Sequence, residues 1–145
     1  MINRILSIAV LSSFVLVFAS CDFHSDDIDD RDLYVGTYHI DEYSSLLNES
    51  SFKVELDKHG NRDKMVIRNF YDTDLEVQAD LAGRKLQIDY QRVGDYYFEG
   101  VGQLSDTTIR LTFDVYNAQG SSVLLADSSY RPAVYDVVDS WGVRE

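Results

Sequence analysis

The sequence predicts an all-β protein, an eight-stranded antiparallel up-and-down barrel. Three observations carry that expectation. Apolar and polar residues alternate with period two from Leu33 onward. Turn-forming residues interrupt the alternation at short intervals. No segment before Pro132 shows helical spacing. Links this short pair strands as hairpins in chain order, and eight such strands can close without leaving an exposed edge.

The strands are expected at 34–43, 51–58, 64–71, 74–82, 84–91, 96–104, 107–116 and 122–131. In the first, His39 stands between Tyr38 and Ile40 and so faces water. In the second, Phe52, Val54 and Leu56 alternate with Lys53, Glu55 and Asp57. The third is the run Val66-Ile67-Arg68-Asn69-Phe70-Tyr71. In the fourth, Leu75, Val77, Ala79 and Leu81 alternate with Glu76, Gln78 and Asp80; in the fifth, Leu86, Ile88 and Tyr90 alternate with Lys85, Gln87 and Asp89. The sixth reads Phe98-Glu99-Gly100-Val101-Gly102, and its glycines leave one face bare for coiling or for a large neighbour. Glu99 falls on the outer face of that strand. The seventh sets Ile109, Leu111, Phe113 and Val115 against Arg110, Thr112 and Asp114. His59-Gly60-Asn61, Asp72-Thr73-Asp74, Ala82-Gly83-Arg84, Val93-Gly94-Asp95, Ser105-Asp106 and Gln119-Gly120-Ser121 supply turns. The barrel domain is thus placed at 33–131 and a tail at 132–145. In the tail, Val134, Val137, Val138 and Trp141 stand at helical spacing, and a helix, a final strand or a loose plug all fit.

Composition excludes several classes. The chain has 145 residues, about one domain, and a formal charge of −12. So acidic a chain is a poor partner for nucleic acid, whose phosphates require Lys and Arg. A single Cys forms no internal disulfide and no cysteine-rich zinc site. Hydrophobic residues at 45% set the chain apart from disordered ones.

Residues 1–20 read as a secretory signal peptide. Arg4 supplies the positive start, and the apolar run Ile5 to Phe18 is short and softened by serines. Phe18-Ala19-Ser20-Cys21 resembles a bacterial lipobox, with Phe18 where Leu is usual. The resemblance implies cleavage before Cys21 and lipidation of Cys21, hence a membrane partner through a lipid anchor. Removing residues 1–20 takes away one positive charge and leaves −13. Residues 21–32 form an acidic tether, since six of the eleven residues after Cys21 are Asp. Within it, Ser25, Asp26, Asp27, Asp29 and Asp30 resemble the Ser-Asp-rich export signal of Bacteroidota surface lipoproteins. That resemblance implies an outer-membrane location facing the cell surface.

Further motifs resemble one family. Gly36-Thr37-Tyr38 is similar to the Gly-x-Trp opening of lipocalin-like proteins, with Tyr in place of Trp. Lys53-Val54-Glu55-Leu56, Asn69-Phe70-Tyr71, Leu86-Gln87-Ile88 with Gln91, and Gly100-Val101-Gly102 follow in order. The series resembles the calycin-like, lipocalin-like β-barrel lipoproteins of Bacteroidota. It implies an eight-stranded barrel and carries no activity with it.

The sequence shows no catalytic constellation. His24, His39 and His59 share no ligand spacing, so neither a metal nor another cofactor is expected. There is no nucleophile elbow and no phosphate loop. Asp57 to Asp63 offers oxygens around Gly60, but a hairpin turn explains them better than calcium. Asp106-Thr107-Thr108 resembles an O-glycosylation motif of the same bacteria, with Thr107 as acceptor. The aromatic residues are expected to fill most of the interior. The function expected is non-enzymatic binding of a small apolar or amphipathic ligand at the barrel mouth, by Tyr38, Tyr90, Tyr96 and Phe98. The second reading is a filled barrel whose outer face binds an envelope protein or glycan, with Tyr43, Tyr97, Tyr116 and Trp141 as contacts.

Overall fold

Residues that alternate in the sequence alternate across a single curved wall. The computed structural model describes residues 29–125 and 129–145. Eight of its strands form a closed antiparallel barrel: β1 (Gly36–Ser44), β2 (Asn48–Lys58), β3 (Lys64–Phe70), β4 (Leu75–Ala82), β5 (Lys85–Val93), β6 (Tyr96–Leu104), β7 (Thr108–Asn117) and β10 (Val134–Arg144). Neighbours pair in chain order, and β10 lies between β7 and β1 to close the wall. β8 (Ser122–Leu124) and β9 (Tyr130–Pro132) pair only with each other, as a small hairpin.

The eighth wall strand is therefore not 122–131, and the barrel does not end at residue 131. The supposed tail supplies that strand. Its polarity explains the misreading. Asp136, Val138, Ser140 and Gly142 point inward, whereas Val137, Trp141 and Val143 point outward. With polar and small residues inside and apolar ones outside, the period-two signal is inverted and the remaining apolar residues resemble a helix.

Three register shifts interrupt the wall, one between β10 and β7 at Val134/Asp136 and two that re-aim side chains in β3 and β5. Between Ile67 and Phe70 the β3–β4 register shifts. Asn69 sits there at φ +55°. Its side chain accepts from the Asp74 N–H at 3.0 Å and donates to the Lys53 carbonyl at 2.7 Å. Between Ile88 and Gln91 the β5–β6 register shifts, and this turns Tyr90 to the outer wall. Beyond that bulge β4 and β5 no longer pair by backbone. The Gln91 amide fills the gap, accepting from the Gln78 N–H at 3.0 Å and donating to the Gln78 carbonyl at 2.7 Å. Here a side chain makes the two bonds that a backbone would otherwise make.

The sixth strand uses its glycines for close packing. A Cβ on Gly100 would lie 2.5 Å from Phe113 Cβ and 2.6 Å from the Thr112 carbonyl. One on Gly102 would meet Leu111 at 2.6 Å. The bare face lets the ring of Phe113 press against the strand.

A 3₁₀ helix (Asp30–Leu33) covers one end of the barrel. Arg31 is buried there and donates to the carbonyls of His59, Asn61 and Lys64, at 3.3, 2.5 and 3.1 Å. Asp29 holds the same guanidinium at 2.7 Å and accepts from the Arg31 N–H. That hydrogen bond to Arg31 keeps the Asp29 carboxyl well below the usual carboxylate range. Residues 29–32 are thus part of the folded domain, which corrects the tether's boundary. Arg31 looks like an interruption in an acidic run, yet it fastens that run to the barrel.

Candidate functional site

The interior is almost solid. Phe70 packs edge-on to Phe98 at 5.2 Å and against Phe113 at 4.4 Å. Tyr71, Tyr96 and Phe98 extend this cluster of rings. The cavity left among Glu42, Phe52, Tyr71, Phe113 and Ser140 measures about 10 Å³. That is room for about one water molecule.

The four residues expected to hold a ligand do not form one site. Phe98 is fully buried in the ring cluster, and Tyr96 is half-buried beside it. Tyr38 is buried toward the opposite end, where its hydroxyl donates to the Tyr34 carbonyl at 2.8 Å. Tyr90 is on the outer wall, because the bulge reverses its face. Its ring stacks on Tyr97 at 5.0 Å with 7° between planes, and Arg131 of β9 covers it at 4.2 Å. Arg131 also pairs with Glu99 at 2.8 Å, so the small hairpin is fastened to the barrel wall. Glu99 is on the outer face, as its alternation predicts. Tyr116 is buried rather than exposed.

The far end holds a polar cluster that sequence reading missed. Asp136 is buried and accepts from Ser44 Oγ at 2.5 Å, Ser45 Oγ at 2.7 Å, the Leu46 N–H at 3.1 Å and Tyr71 Oη at 2.6 Å. Burial raises its pKa, but these donors outweigh burial and hold it below the ordinary value. Burial, reinforced by the hydrogen bond to Asp136, pushes the Tyr71 hydroxyl up. Glu42 points into the small cavity with only 5% of its surface exposed. Burial, with Asp136 and Asp72 nearby, pushes its carboxyl up to about 7. The signal was present in β1: Glu42 is in phase with Tyr38 and Ile40.

A wide concavity lies on the outside. A groove of about 740 Å³ crosses the outer wall over β2, β1, β10 and β7. Trp141 is half-exposed in it, between its register partners Asp41 and Arg110. Tyr43, 59% exposed, pairs with Asp139 and Glu49 along the next row. Tyr43 and Trp141 were expected contacts; Asp41, Asp139 and Arg110 were missed, because neighbours in register are distant in sequence. A second outer groove, of about 500 Å³, shares Arg110 and runs over Gln87, Val101 and Gln103.

Other expected site residues fall as follows. Thr107 is exposed in the β6–β7 turn. Asp30 is exposed in the 3₁₀ helix. Cys21, Ser25, Asp26 and Asp27 lie outside the described residues, as do residues 1–20. Among the described residues no helix is long and apolar enough to cross a membrane, and no three His, Cys, Asp or Glu gather to hold a metal. No protein-family model matches the sequence, and neither does any curated protein. The closed eight-stranded antiparallel barrel is compatible with a calycin-like fold.

Proposed function

We propose that this chain is a non-enzymatic binding module that takes its ligand on the outer wall of the barrel, at Tyr43 and Trp141. In this reading Cys21 carries a lipid anchor that holds the barrel at the cell-surface side of an outer membrane, as in the Bacteroidota lipoproteins its motifs resemble. One observation favours the outer wall over the mouth. The interior keeps a cavity of about 10 Å³, whereas the groove beside Trp141 offers about 740 Å³.

Trp141 is the only tryptophan in the chain, so its emission reports on the groove alone. Soluble envelope extract is expected to protect this emission from quenching by acrylamide. Native mass spectrometry of the same sample is expected to show an adduct that Tyr43→Ala weakens. An adduct that leaves Trp141 as quenchable as before, and that Tyr43→Ala does not touch, returns the ligand to the barrel mouth. Anchoring is tested separately, by incorporation of an alkyne-tagged fatty acid that Cys21→Ala abolishes.

A further inference from the structure

We propose that the occupant of the Trp141 groove is a neutral oligosaccharide; this rests on the outer-wall reading above. The pattern of charge around the indole carries the inference. Trp141 has a carboxylate, Asp41, as its partner on one side and a guanidinium, Arg110, on the other. An anionic ligand stacked there meets Asp41 and Asp139. A cationic one meets Arg110, which is well exposed beside the indole and 3.9 Å from Asp139, although Glu49 adds a further carboxylate at the Tyr43 end of the groove. A hydroxyl group suits both neighbours, because it donates to a carboxylate and accepts from a guanidinium. A sugar ring presents such hydroxyls around an apolar face, and that face is matched by an exposed aromatic ring.

The polar groups are also fixed in advance. Ser51 Oγ donates to Asp41 Oδ1 at 2.9 Å, and His39 steadies Ser51 at 2.9 Å. Thr112 Oγ1 donates to Asp139 Oδ1 at 2.6 Å. Each carboxylate is thereby held by the wall while keeping acceptor capacity to spare. Binding to groups already ordered loses less entropy. The second groove, joined through Arg110, adds Gln87 and Gln103, whose amides again both donate and accept. Two grooves sharing one guanidinium fit a chain of sugars better than a single ring.

The test uses the full chain and follows Trp141 emission during titration with maltohexaose, cellohexaose and mannohexaose. At least one of the three is expected to shift the emission to the blue and to bind with an affinity that added salt leaves unchanged. Calorimetry is expected to show Trp141→Ala, Asp139→Asn and Arg110→Ala each weakening that binding at least about tenfold. Val123→Ala, away from both grooves, leaves it intact. Preferential binding of chitosan oligomers or of oligogalacturonate overturns the inference. So does emission that none of the neutral sugars moves. If envelope extract still protects Trp141 in that case, the outer-wall reading stands and only the sugar is wrong; if it does not, both fall.

Discussion

Tyr71 and Asp136, 65 residues apart in sequence, meet through a 2.6 Å hydrogen bond inside one end of the barrel. Asp136 draws three further donors, from Ser44, Ser45 and the Leu46 N–H. One carboxylate of β10 thus gathers the β1–β2 turn and the end of β3. It ties the strand ends together at that end of the barrel.

Removing that carboxylate leaves buried hydroxyls without an acceptor. Asp136→Ala is expected to cost about 3 kcal/mol, from several lost charge-assisted bonds and the stranded donors. Tyr71→Phe, which deletes one donor and leaves the rest, is expected to cost about 1 kcal/mol. Urea midpoints at constant slope measure both. Equal costs for the two variants would mean that Asp136 does not organise the cluster.

Glu42 makes stability fall on the alkaline side. Burial raises its carboxyl from the ordinary 4.5 to about 7, so the folded state binds the extra proton. The stabilisation is complete below about 4.5 and is lost as pH rises through about 7. Asp136 is shifted the other way, so its contribution is present above its ordinary 3.8 and is lost as pH falls below it. The groups facing Glu42 are Asp136, Asp72 and Tyr71, with no cation among them. Melting temperature is therefore expected to peak in mildly acidic buffer. Glu42→Gln is expected to flatten the alkaline decline and to add on the order of 2–3 kcal/mol at pH 8. A decline that persists unchanged in Glu42→Gln would assign it to another group.

Strands such as β2, β4 and β7 were legible because their inward residues are apolar and their outward residues mostly polar: Phe52, Val54 and Leu56 against Lys53, Glu55 and Asp57 suffice to place β2. β10 was not, since Asp136, Ser140 and Gly142 occupy its inward positions and Trp141 and Val143 its outer ones. Tyr90 was placed inside for a related reason: a bulge adds a residue that alternation alone does not reveal. The groove at Trp141 was half legible. Exposed aromatics stand out in a sequence, but the register that sets Asp41 and Arg110 beside Trp141 exists only once the barrel closes.

Gly100 is expected to tolerate no side chain. A Cβ there would lie 2.5 Å from Phe113 Cβ and 2.8 Å from its Cα, both rigid parts of a neighbouring strand. Gly100→Ala should therefore displace β6 from β7 and cost on the order of 2–3 kcal/mol. A companion Gly83→Ala variant separates packing from backbone effects. No atom lies near that position, but φ is +63°, so only local strain of about 1 kcal/mol applies. Thermal unfolding that ranks the two variants the other way round would discount the contact between Gly100 and Phe113.

Arg131 fastens the small hairpin to the wall. Arg131 lies over Tyr90 at 4.2 Å and pairs with Glu99 at 2.8 Å, while Tyr90 in turn stacks on Tyr97. Backbone pairing between β8 and β9 spans only three residue pairs and reaches no barrel strand. Two strands this short are not stable alone. Arg131→Ala is therefore expected to speed amide exchange across 122–124 and 130–132 while leaving exchange in β6 and β7 unchanged. Global stability should drop by less than about 1 kcal/mol, since the ion pair and the stacked guanidinium are both open to solvent. Arg131→Lys keeps the charge but loses the flat face that covers Tyr90, so it should restore only part of the protection. Full protection in the lysine variant would assign the anchoring to Glu99 alone.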